Sequence, residues 1–476
     1  MGNAPHQQLP APETSPTNWA GYLRHHDVRI EDARIMSLGG LDINIMDHFT
    51  YFELYEDIFQ SNISGVLSGI DSSNLPTSLP LTGQELLIVT FCTPGAENIT
   101  QGFVIDKITE RLPLKNQRAQ MYDLHFVFPS FTNNLLRRVN KSYTGKISDT
   151  VKDIFKTNIN TDESETAIKI NVEPTVGDHR VVVPGWRPIP TINWLAKRAM
   201  SETFAPKCNY VFYQDLDGFH FVSLTSLIAK PAVQQYEHYP INSSYAREDD
   251  GGELDIDKSL RNIETLIIRG FDVSSEILKG TYASSLLVHD ITTKSYNTYA
   301  YMYNSTFDSK LSLNGHPILP SFLDIYSPHM ESKEYMYPRH AGLHGGIVEL
   351  ETDDGIKTEV IEHPDNDKAE WWVQHHDSAM NQLLFSSIEI VVAGDSNRRV
   401  GDKVIVNIPD SSKIESGENV ADIMLSGNYL VTKIKHTITP GSGHTLQMRL
   451  CKDSYIAPLP NTHVYEPDNF SGDTEA

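Results

Sequence analysis

Two stretches of alternating apolar and polar residues, each followed by a second such stretch, predict one β-hairpin that occurs twice in the chain. Residues 104–109 return through 120–126, and residues 430–435 return through 446–451. Alternation is typical of a strand with one buried face. Both arms keep one sequence offset of 326 positions, which relates three residue pairs: Lys107 and Lys433, Ile108 and Ile434, Leu124 and Leu450. A single offset predicts the same hairpin geometry in both places.

The same order of elements precedes both hairpins. In the first copy an apolar run, Ile63–Ile70, ends at Asp71, and Gly83 precedes the strand 86–89. In the second, the run 388–392 ends at Gly394, and Gly401 precedes the strand 404–406. Turn residues and alternation occur in any antiparallel domain, so the pattern fits a duplicated domain or two unrelated β domains.

The chain before Phe128 predicts a compact antiparallel domain, a small barrel or sandwich. Residues 28–45 and 51–54 alternate as strands, and 55–59 followed by 65–70 predicts a strand that turns a corner. Turn-forming residues at 79–83 precede the next strand.

From Phe131 onward the apolar residues recur at helical spacing, which predicts a separate α+β insertion. Leu135, Leu136 and Val139 fit one helix, and 147–159 fits another with Ser148 as its cap. The remaining predictions here are a third helix at 192–196, capped by Thr191 and entered through Pro188 and Pro190, and a hairpin with its turn at Asp217-Gly218.

Strand patterning returns between residues 259 and 291, at 266–268 and 286–288. A polar segment then interrupts the second β domain, with a hairpin predicted at Asp353-Asp354-Gly355 and a helix at 371–384.

The predicted fold class is therefore α+β and mainly β, with two antiparallel β domains and α+β insertions. The predicted divisions are a disordered N-terminal arm at 1–20, a first barrel at 21–130, an α+β insertion at 131–255, a second barrel formed by 256–310 and 376–457, an inserted peripheral segment at 311–375, and a polar tail at 458–476.

The chain is acidic, with 39 basic and 62 acidic residues among 476 and a net charge of −23. This argues against wrapping nucleic acid, which requires phosphate neutralisation by Lys and Arg. The three cysteines, Cys92, Cys208 and Cys451, are too widely spaced to predict a disulfide framework or a zinc site, so a reducing compartment is the simplest setting. No apolar run approaches membrane-spanning length, and residues 1–18 lack the apolar core of a signal peptide.

The sequence offers weak candidates for chemistry, and no catalytic, cofactor-binding or metal-binding residue is predicted. A Walker phosphate loop, a nucleophile elbow and a His-Glu-x-x-His motif are absent. The candidate metal ligands in the polar segment are His340, His344, His375, His376 and Asp377. Their spacing does not place two of them on one helical face, as a metal site on a helix would require. Two carboxylate pairs could serve acid–base catalysis but are more typical of solvated surface: Asp249-Asp250 and Asp353-Asp354. Two aromatic pairs could stack on a sugar but are more typical of core or interface anchors: Trp371-Trp372 and Tyr335-x-Tyr337.

Several ordered blocks resemble the baseplate hub subunit of contractile-tailed bacteriophages, a family related to the type VI secretion spike. The blocks, which together span most of residues 50 to 455, lie at 55–59, 64–65, 71–75, 79–85, 137–147, 192–195, 279–283, 394–395, 399–403 and 425–430. The N-terminal arm and the His-rich insertion depart from this pattern.

The resemblance implies that the two antiparallel β domains are similar β-barrels of tube type, and that the chain is a structural protein and not an enzyme. Hub proteins of this kind form a homotrimer in which two like domains per chain give a pseudo-sixfold ring, joining a hexameric tail tube or tube-initiator protein to a trimeric central spike. It also implies a place in the virion baseplate after assembly in the host cytoplasm, contacts with tape-measure and baseplate wedge proteins, and a lumen through which DNA passes without specific binding. The alternatives are a tail-associated cell-wall glycosidase and a carbohydrate-binding module.

Overall fold

The computed structural model describes most of the chain between His26 and Pro458. The described residues are 26–114, 119–160, 168–204, 208–238, 260–290, 294–307, 309–318, 337–343, 346–352, 355–361, 369–410 and 420–458. The predictions for the arm at 1–20 and for almost all of the tail at 458–476 lie outside them.

The strands are numbered in chain order. The first thirteen are β1 Arg29–Met36, β2 Asp42–Asn44, β3 Phe49–Asp57, β4 Ser64–Asp71, β5 Leu86–Cys92, β6 Ile99–Pro113, β7 Gln120–Val127, β8 Val139–Gly145, β9 Ile170–Val172, β10 His179–Trp186, β11 Tyr210–Asp215, β12 Gly218–Ser223 and β13 Ala232–Glu237. The remaining strands are β14 Thr265–Arg269, β15 Ala283–Asp290, β16 Ser295–Met302, β17 His316–Pro317, β18 Tyr337–Leu343, β19 Gly346–Thr352, β20 Gly355–Ile361, β21 Ser386–Ala393, β22 Lys403–Asn407, β23 Gly427–Thr439, β24 Gly443–Lys452 and β25 Ser454–Tyr455.

Helices connect these strands and are numbered in the same way. They are α1 Leu75–Ser78, α2 Pro129–Leu136, α3 Ile147–Ile154 continued by a π-helix at Phe155–Ile159, α4 Pro188–Ala196, α5 Leu224–Ala229, α6 Val273–Leu278, α7 Tyr303–Phe307 and α8 Ala369–Phe385.

One large sheet of thirteen strands dominates the described part of the chain, and it contains the same neighbour order twice. The first unit is β3-β4-β7-β6-β5-β1, and the second unit is β14-β21-β24-β23-β22-β13. The units differ at their last strand, because β1 pairs antiparallel with β5 whereas β13 pairs parallel with β22. The predicted mainly β class with a large antiparallel sheet is confirmed.

Both predicted hairpins are present, but the single offset is wrong for their second arms. Val104 to Ile108 of β6 correspond to Leu430 to Ile434 of β23 at the predicted separation of 326, and both strands bulge at the equivalent residue, Asp106 or Thr432. Opposite Ile108 stands Leu124, whereas opposite Ile434 stands Met448, so the second arms are 324 positions apart. Because side chains alternate between the two faces of a strand, a register change of two residues leaves the same set of side chains facing the core. The first hairpin accommodates its extra length with another bulge after Thr109.

Three details of the inserted helices differ from prediction. Val139 begins β8 and does not belong to a helix. Lys146 is the N-cap of α3, and Ser148 lies inside the first turn, where its backbone N–H donates to Thr175 Oγ1. Helix α4 begins at Pro188, so Thr191 lies within it and donates its hydroxyl to the Arg187 carbonyl. Proline fits the first helical position, which moves the start of α4 ahead of the threonine.

The residues predicted to turn a corner form two separate strands. Strand β3 ends at Asp57, a turn follows, and β4 returns antiparallel to it with Tyr55 opposite Ser64. The predicted hairpin at Asp217-Gly218 is confirmed as β11 and β12. The hairpin around residues 353–355 is likewise confirmed as β19 and β20, and the helix predicted at 371–384 is confirmed as α8.

Each unit encloses its own apolar core, and each core contains a residue from the other unit. The first core includes Phe52, Leu54 and Phe126, together with Ile438 from β23. The second includes Ile434 and Met448, together with Ile58 from the turn after β3. The insertion has a third core between β8, β10 to β12 and helices α3 and α4. The two β units are therefore packed as one body.

Candidate assembly interface

The two units meet at a strand pairing that we call the junction, formed by Phe52 to Asp57 of β3 and Lys433 to Ile438 of β23. The strands are antiparallel, with Lys433 opposite Asp57 and Ile438 opposite Phe52. One edge of strand β23 has two partners, because its first residues pair with β22 and its later residues pair with β3, while its other edge pairs with β24. The junction thus continues one sheet across both units.

Ion pairs fix the register of the junction on its solvent-facing side. Lys433 Nζ lies 2.8 Å from Asp57 Oδ2, and Lys435 Nζ lies 2.7 Å from Glu53 Oε1. Both lysines are partly exposed, so each pair stabilises the fold by roughly 1 kcal/mol or less. Their main effect is on register, because a slip of one residue would separate both pairs.

The core-facing side of the junction buries three titratable side chains. His436 Nδ1 lies 3.1 Å from His444 Nε2, and the two rings stack with their centroids 5.3 Å apart. His436 Nε2 lies 3.4 Å from Glu56 Oε1, and both side chains are fully buried. Gly394 leaves the space that the His444 ring occupies, since a Cβ there would come within 2.2 Å of that ring. We call Glu56, His436 and His444 the junction cluster.

Burial disfavours the charged form of each group in the junction cluster. It raises the pKa of Glu56 well above its ordinary value, and it lowers the pKa of His436 to about 3 and that of His444 well below its ordinary value. A protonated Glu56 can donate a hydrogen bond to a neutral imidazole nitrogen. The two histidines can share one ring proton between them. Within the cluster, the hydrogen bond joins the two histidine rings, and burial disfavours the charged form of all three groups.

Loops from both units and from the insertion form hydrogen bonds in the same region. Thr93 Oγ1 and Ser396 Oγ are 2.8 Å apart, and the Ser396 N–H donates to Thr93 Oγ1. Arg399 donates to Asp217 Oδ1 of the inserted hairpin turn, 3.0 Å away. Ser61 donates to the Phe212 carbonyl of β11. These contacts join both units and the insertion to one another.

The described side chains among the candidate metal ligands do not come together. His375 packs edge-on against Tyr301, whereas His376 Nδ1 lies 2.9 Å from the Cys208 carbonyl, so the two rings have different neighbours. His340 lies in β18, and its backbone is opposite Leu287 of β15. His344 is outside the described residues. Among the residues that the structure describes, no group of three or more His, Cys, Asp or Glu side chains is arranged to hold a metal ion.

The structure describes few of the other candidates for chemistry. Asp249, Asp250, Asp353 and Asp354 are outside the described residues, as is Tyr335. The remaining aromatic side chain that the structure describes, Trp372, lies near Arg198, whose guanidinium also covers Trp194 at 4.0 Å.

Cys92, Cys208 and Cys451 are buried free thiols, and in the described part of the chain no helix is long and apolar enough to cross a membrane.

Sequence reasoning did not find the junction cluster, although a signal was present. Glu56 shares its strand face with Phe52 and Leu54, and His436 shares its face with Ile434 and Ile438. A titratable residue at a core-facing position of an alternating strand indicates a buried polar contact. Its partners were not predictable, because they come from a distant strand.

Comparison with known proteins gives a relative along nearly the whole length of the chain. No family model matches the sequence. A probable baseplate hub protein of Vibrio phage KVP40 is 24% identical over 432 residues, which cover 88% of this chain and 93% of that protein. The resemblance to phage baseplate hub proteins is confirmed.

One solved structure is similar to this chain in fold. A tail protein from Neisseria meningitidis MC58 superposes with a TM-score of 0.51 at 11% identity, covering 90% of this chain and 97% of that chain. A prophage MuSo2 tail protein from Shewanella oneidensis gives a TM-score of 0.48 at 10% identity, covering 89% and 99%. The similar proteins are named as baseplate hub and tail proteins and not as enzymes, in agreement with the prediction of a non-enzymatic protein.

Proposed function

We propose that this chain is the structural hub subunit of a contractile-tail baseplate, and that three copies form a ring with pseudo-sixfold symmetry. The observation that carries the proposal is the repeated strand order within one chain, β3-β4-β7-β6-β5-β1 and β14-β21-β24-β23-β22-β13. Two like units per chain give three chains six near-equivalent positions. Such a ring can face a hexameric tail tube on one side and a trimeric central spike on the other, because closed assemblies need matching patches around the ring.

In this proposal the two units are barrel domains of tube type, and the rest of the chain surrounds them. The first barrel takes residues 21–130, and the second takes 256–310 with 376–457. The α+β insertion at 131–255 and the peripheral segment at 311–375 lie outside the ring, where they and the terminal segments at 1–20 and 458–476 contact wedge, tape-measure or spike proteins. The protein acts in the virion baseplate and assembles in the host cytoplasm.

The lumen of the ring lets DNA pass without holding it. The net charge of −23 supports this part of the proposal, because like charges repel the phosphate backbone.

Native mass spectrometry of the chain with its spike protein tests the ring. We expect three hub chains per complex. A complex with one, two or six hub chains would overturn the trimer, and release of sugar fragments from peptidoglycan by the purified chain would favour a glycosidase instead.

A further inference from the structure

We infer that the chain binds a small organic acid, a monocarboxylate with an apolar body, in a cavity between the insertion and the second unit. The cavity has a volume of about 350 Å³, which lies in the range of small-molecule sites. Its walls come from the segment before β11, from α5, from the end of α7 and the loop after it, and from α8. The cavity lies within one chain, so binding does not depend on the proposed trimer.

Part of the cavity wall is apolar. The apolar lining residues include Leu224 and Ile228 of α5, Phe307 of α7 and Leu383 of α8. All four are buried, and they belong to three different helices. A ligand with an apolar body would cover this part of the wall and gain from the removal of apolar surface from water.

The cavity also has a cation in its wall. Among the described lining residues, Lys310 is the one lysine or arginine. Its Nζ atom lies 2.5 Å from the Tyr301 hydroxyl oxygen and 4.8 Å from the centre of the Tyr301 ring. An ammonium has three N–H donors, and the bond to Tyr301 uses one of them. The other donors can therefore serve an anion in the cavity.

Neighbouring side chains fix Tyr301, and through it Lys310. Tyr301 is 2% exposed, and its hydroxyl oxygen lies 2.9 Å from Ser378 Oγ and 3.2 Å from Gln382 Nε2. The His375 ring packs edge-on against the Tyr301 ring. Gln382 and His375 line the same cavity. The ammonium is thus held in position before a ligand binds, which reduces the entropy lost on binding.

The charges around Lys310 favour a ligand with one negative charge. Burial lowers the pKa of His375 to about 4, with Lys310 acting in the same direction, so this histidine is neutral at pH 7. Burial raises the pKa of Asp453, another lining residue, which favours its uncharged form. A phosphate group carries about −1.5 to −2 charges at pH 7, more than one ammonium neutralises. A carboxylate matches the single charge of Lys310.

Binding of three carboxylates to the purified full chain tests the site. The probes are benzoate, 3-phenylpropionate and hexanoate, each compared with its neutral amide by isothermal titration calorimetry. We expect at least one acid to bind roughly tenfold or more tightly than its amide, because the amide cannot accept a hydrogen bond between two charged groups from Lys310.

Three variants locate the bound acid. Lys310→Met keeps the stem and removes the ammonium, so it should weaken the acid roughly tenfold or more and leave the amide unchanged. Lys141→Met is the matched control, on an exposed lysine of β8 that pairs with Asp153, and should leave both affinities unchanged. Ala379→Phe should fill the cavity from α8 and abolish binding of acid and amide alike. Circular dichroism would confirm that each variant folds.

The outcomes either support the site or overturn it. Equal affinity of each acid and its amide for the parent chain would overturn recognition of a carboxylate by Lys310, and this comparison needs no variant. Equal weakening by Lys310→Met and Lys141→Met would do the same. Failure of all three acids to bind at millimolar concentration would overturn the site and leave a cavity filled with water alone. Unchanged binding to a folded Ala379→Phe chain would place the acid outside the cavity.

Discussion

Single residues set how closely the strands of the first unit pack. A Cβ at Gly65 of β4 would lie 2.2 Å from the Glu53 carbonyl oxygen and 2.2 Å from the Phe126 ring, distances that real Cβ contacts do not reach. Phe126 stacks on Phe52 at 5.2 Å within the first core. The absence of a side chain at Gly65 is therefore what allows this aromatic packing beside the junction.

Gly65→Ala should destabilise the protein by about 1–3 kcal/mol or more, since the backbone of β3 cannot move without disturbing the junction. Chemical denaturation would measure the change in the free energy of unfolding. Gly102→Ala in β6 is the control, because its nearest neighbour would be the Leu86 side chain at 3.6 Å, an ordinary contact. Equal losses for both variants would show that close packing at Gly65 is not the cause.

Glu56 should make stability depend on pH. Its raised pKa means that the folded chain keeps a proton that the unfolded chain releases above about 4.5. Its contribution to stability is fully present below that pH and is lost as the pH rises toward the raised pKa. Glu56→Gln cannot ionise, so we expect the variant to gain stability relative to the parent between about pH 5 and pH 8.

Denaturation of both proteins at the two pH values would measure this difference. His436, whose lowered pKa has the opposite effect as the pH falls from 6.5 toward 3, is present in both proteins, so the comparison isolates Glu56. Glu97→Gln, on an exposed loop residue, is the control. If the difference in unfolding free energy between the parent and Glu56→Gln stayed constant with pH, that result would contradict an uncharged Glu56 in the folded protein.

At the scale of elements, the junction gains its stability from its apolar face and its register from its charged face. Leu54 is fully buried in the first core, whereas Lys435 and Glu53 are partly exposed. Leu54→Ala should cost about 2–5 kcal/mol. Lys435→Met, which keeps the stem and removes the charge, should cost less than about 1 kcal/mol. Thermal and chemical denaturation would rank the two, and a larger loss for Lys435→Met would reverse this assignment.

Strand and hairpin positions could be predicted because they depend on local patterns. Alternation located β6, β7, β23 and β24, and the Asp217-Gly218 turn located the hairpin of β11 and β12. The offset of the second arms could not be predicted, because bulges change register without changing the alternating pattern. The partners of Glu56 could not be predicted either, since His436 and His444 reach it only when β23 pairs with β3.

On the scale of the whole molecule, charges of both signs share the exposed face of the central strands. Glu53, Asp123 and Glu389 alternate with core residues and so face away from the core, where basic side chains also lie. The basic side chains on that face are Lys107, Lys433, Lys435 and Arg449. If this face lines the channel, its carboxylates offset the charge of the basic side chains and so prevent the channel wall from binding the phosphates of passing DNA.

Neutralising Glu53, Asp123 and Glu389 together, by substitution with Gln, Asn and Gln, should therefore slow genome ejection from phage particles. Ejection triggered in vitro and followed by dye binding to released DNA would measure the rate, and the slowing should weaken at high salt. Asp149→Asn, Asp153→Asn and Glu202→Gln on the insertion form the matched control. Ejection at the parental rate would remove the electrostatic part of the proposal.

The exchange of Ile58 and Ile438 between the two cores has a consequence for synthesis of the chain on the ribosome. Strand β3 is made before its partner β23, which carries the residue that completes the first core, and the whole insertion is translated between them. The first unit therefore cannot reach its final packing until β23 has emerged. Incomplete translation products that lack β23 would leave the edge of β3 unpaired. Premature termination should therefore yield chains that degrade and do not enter the particle.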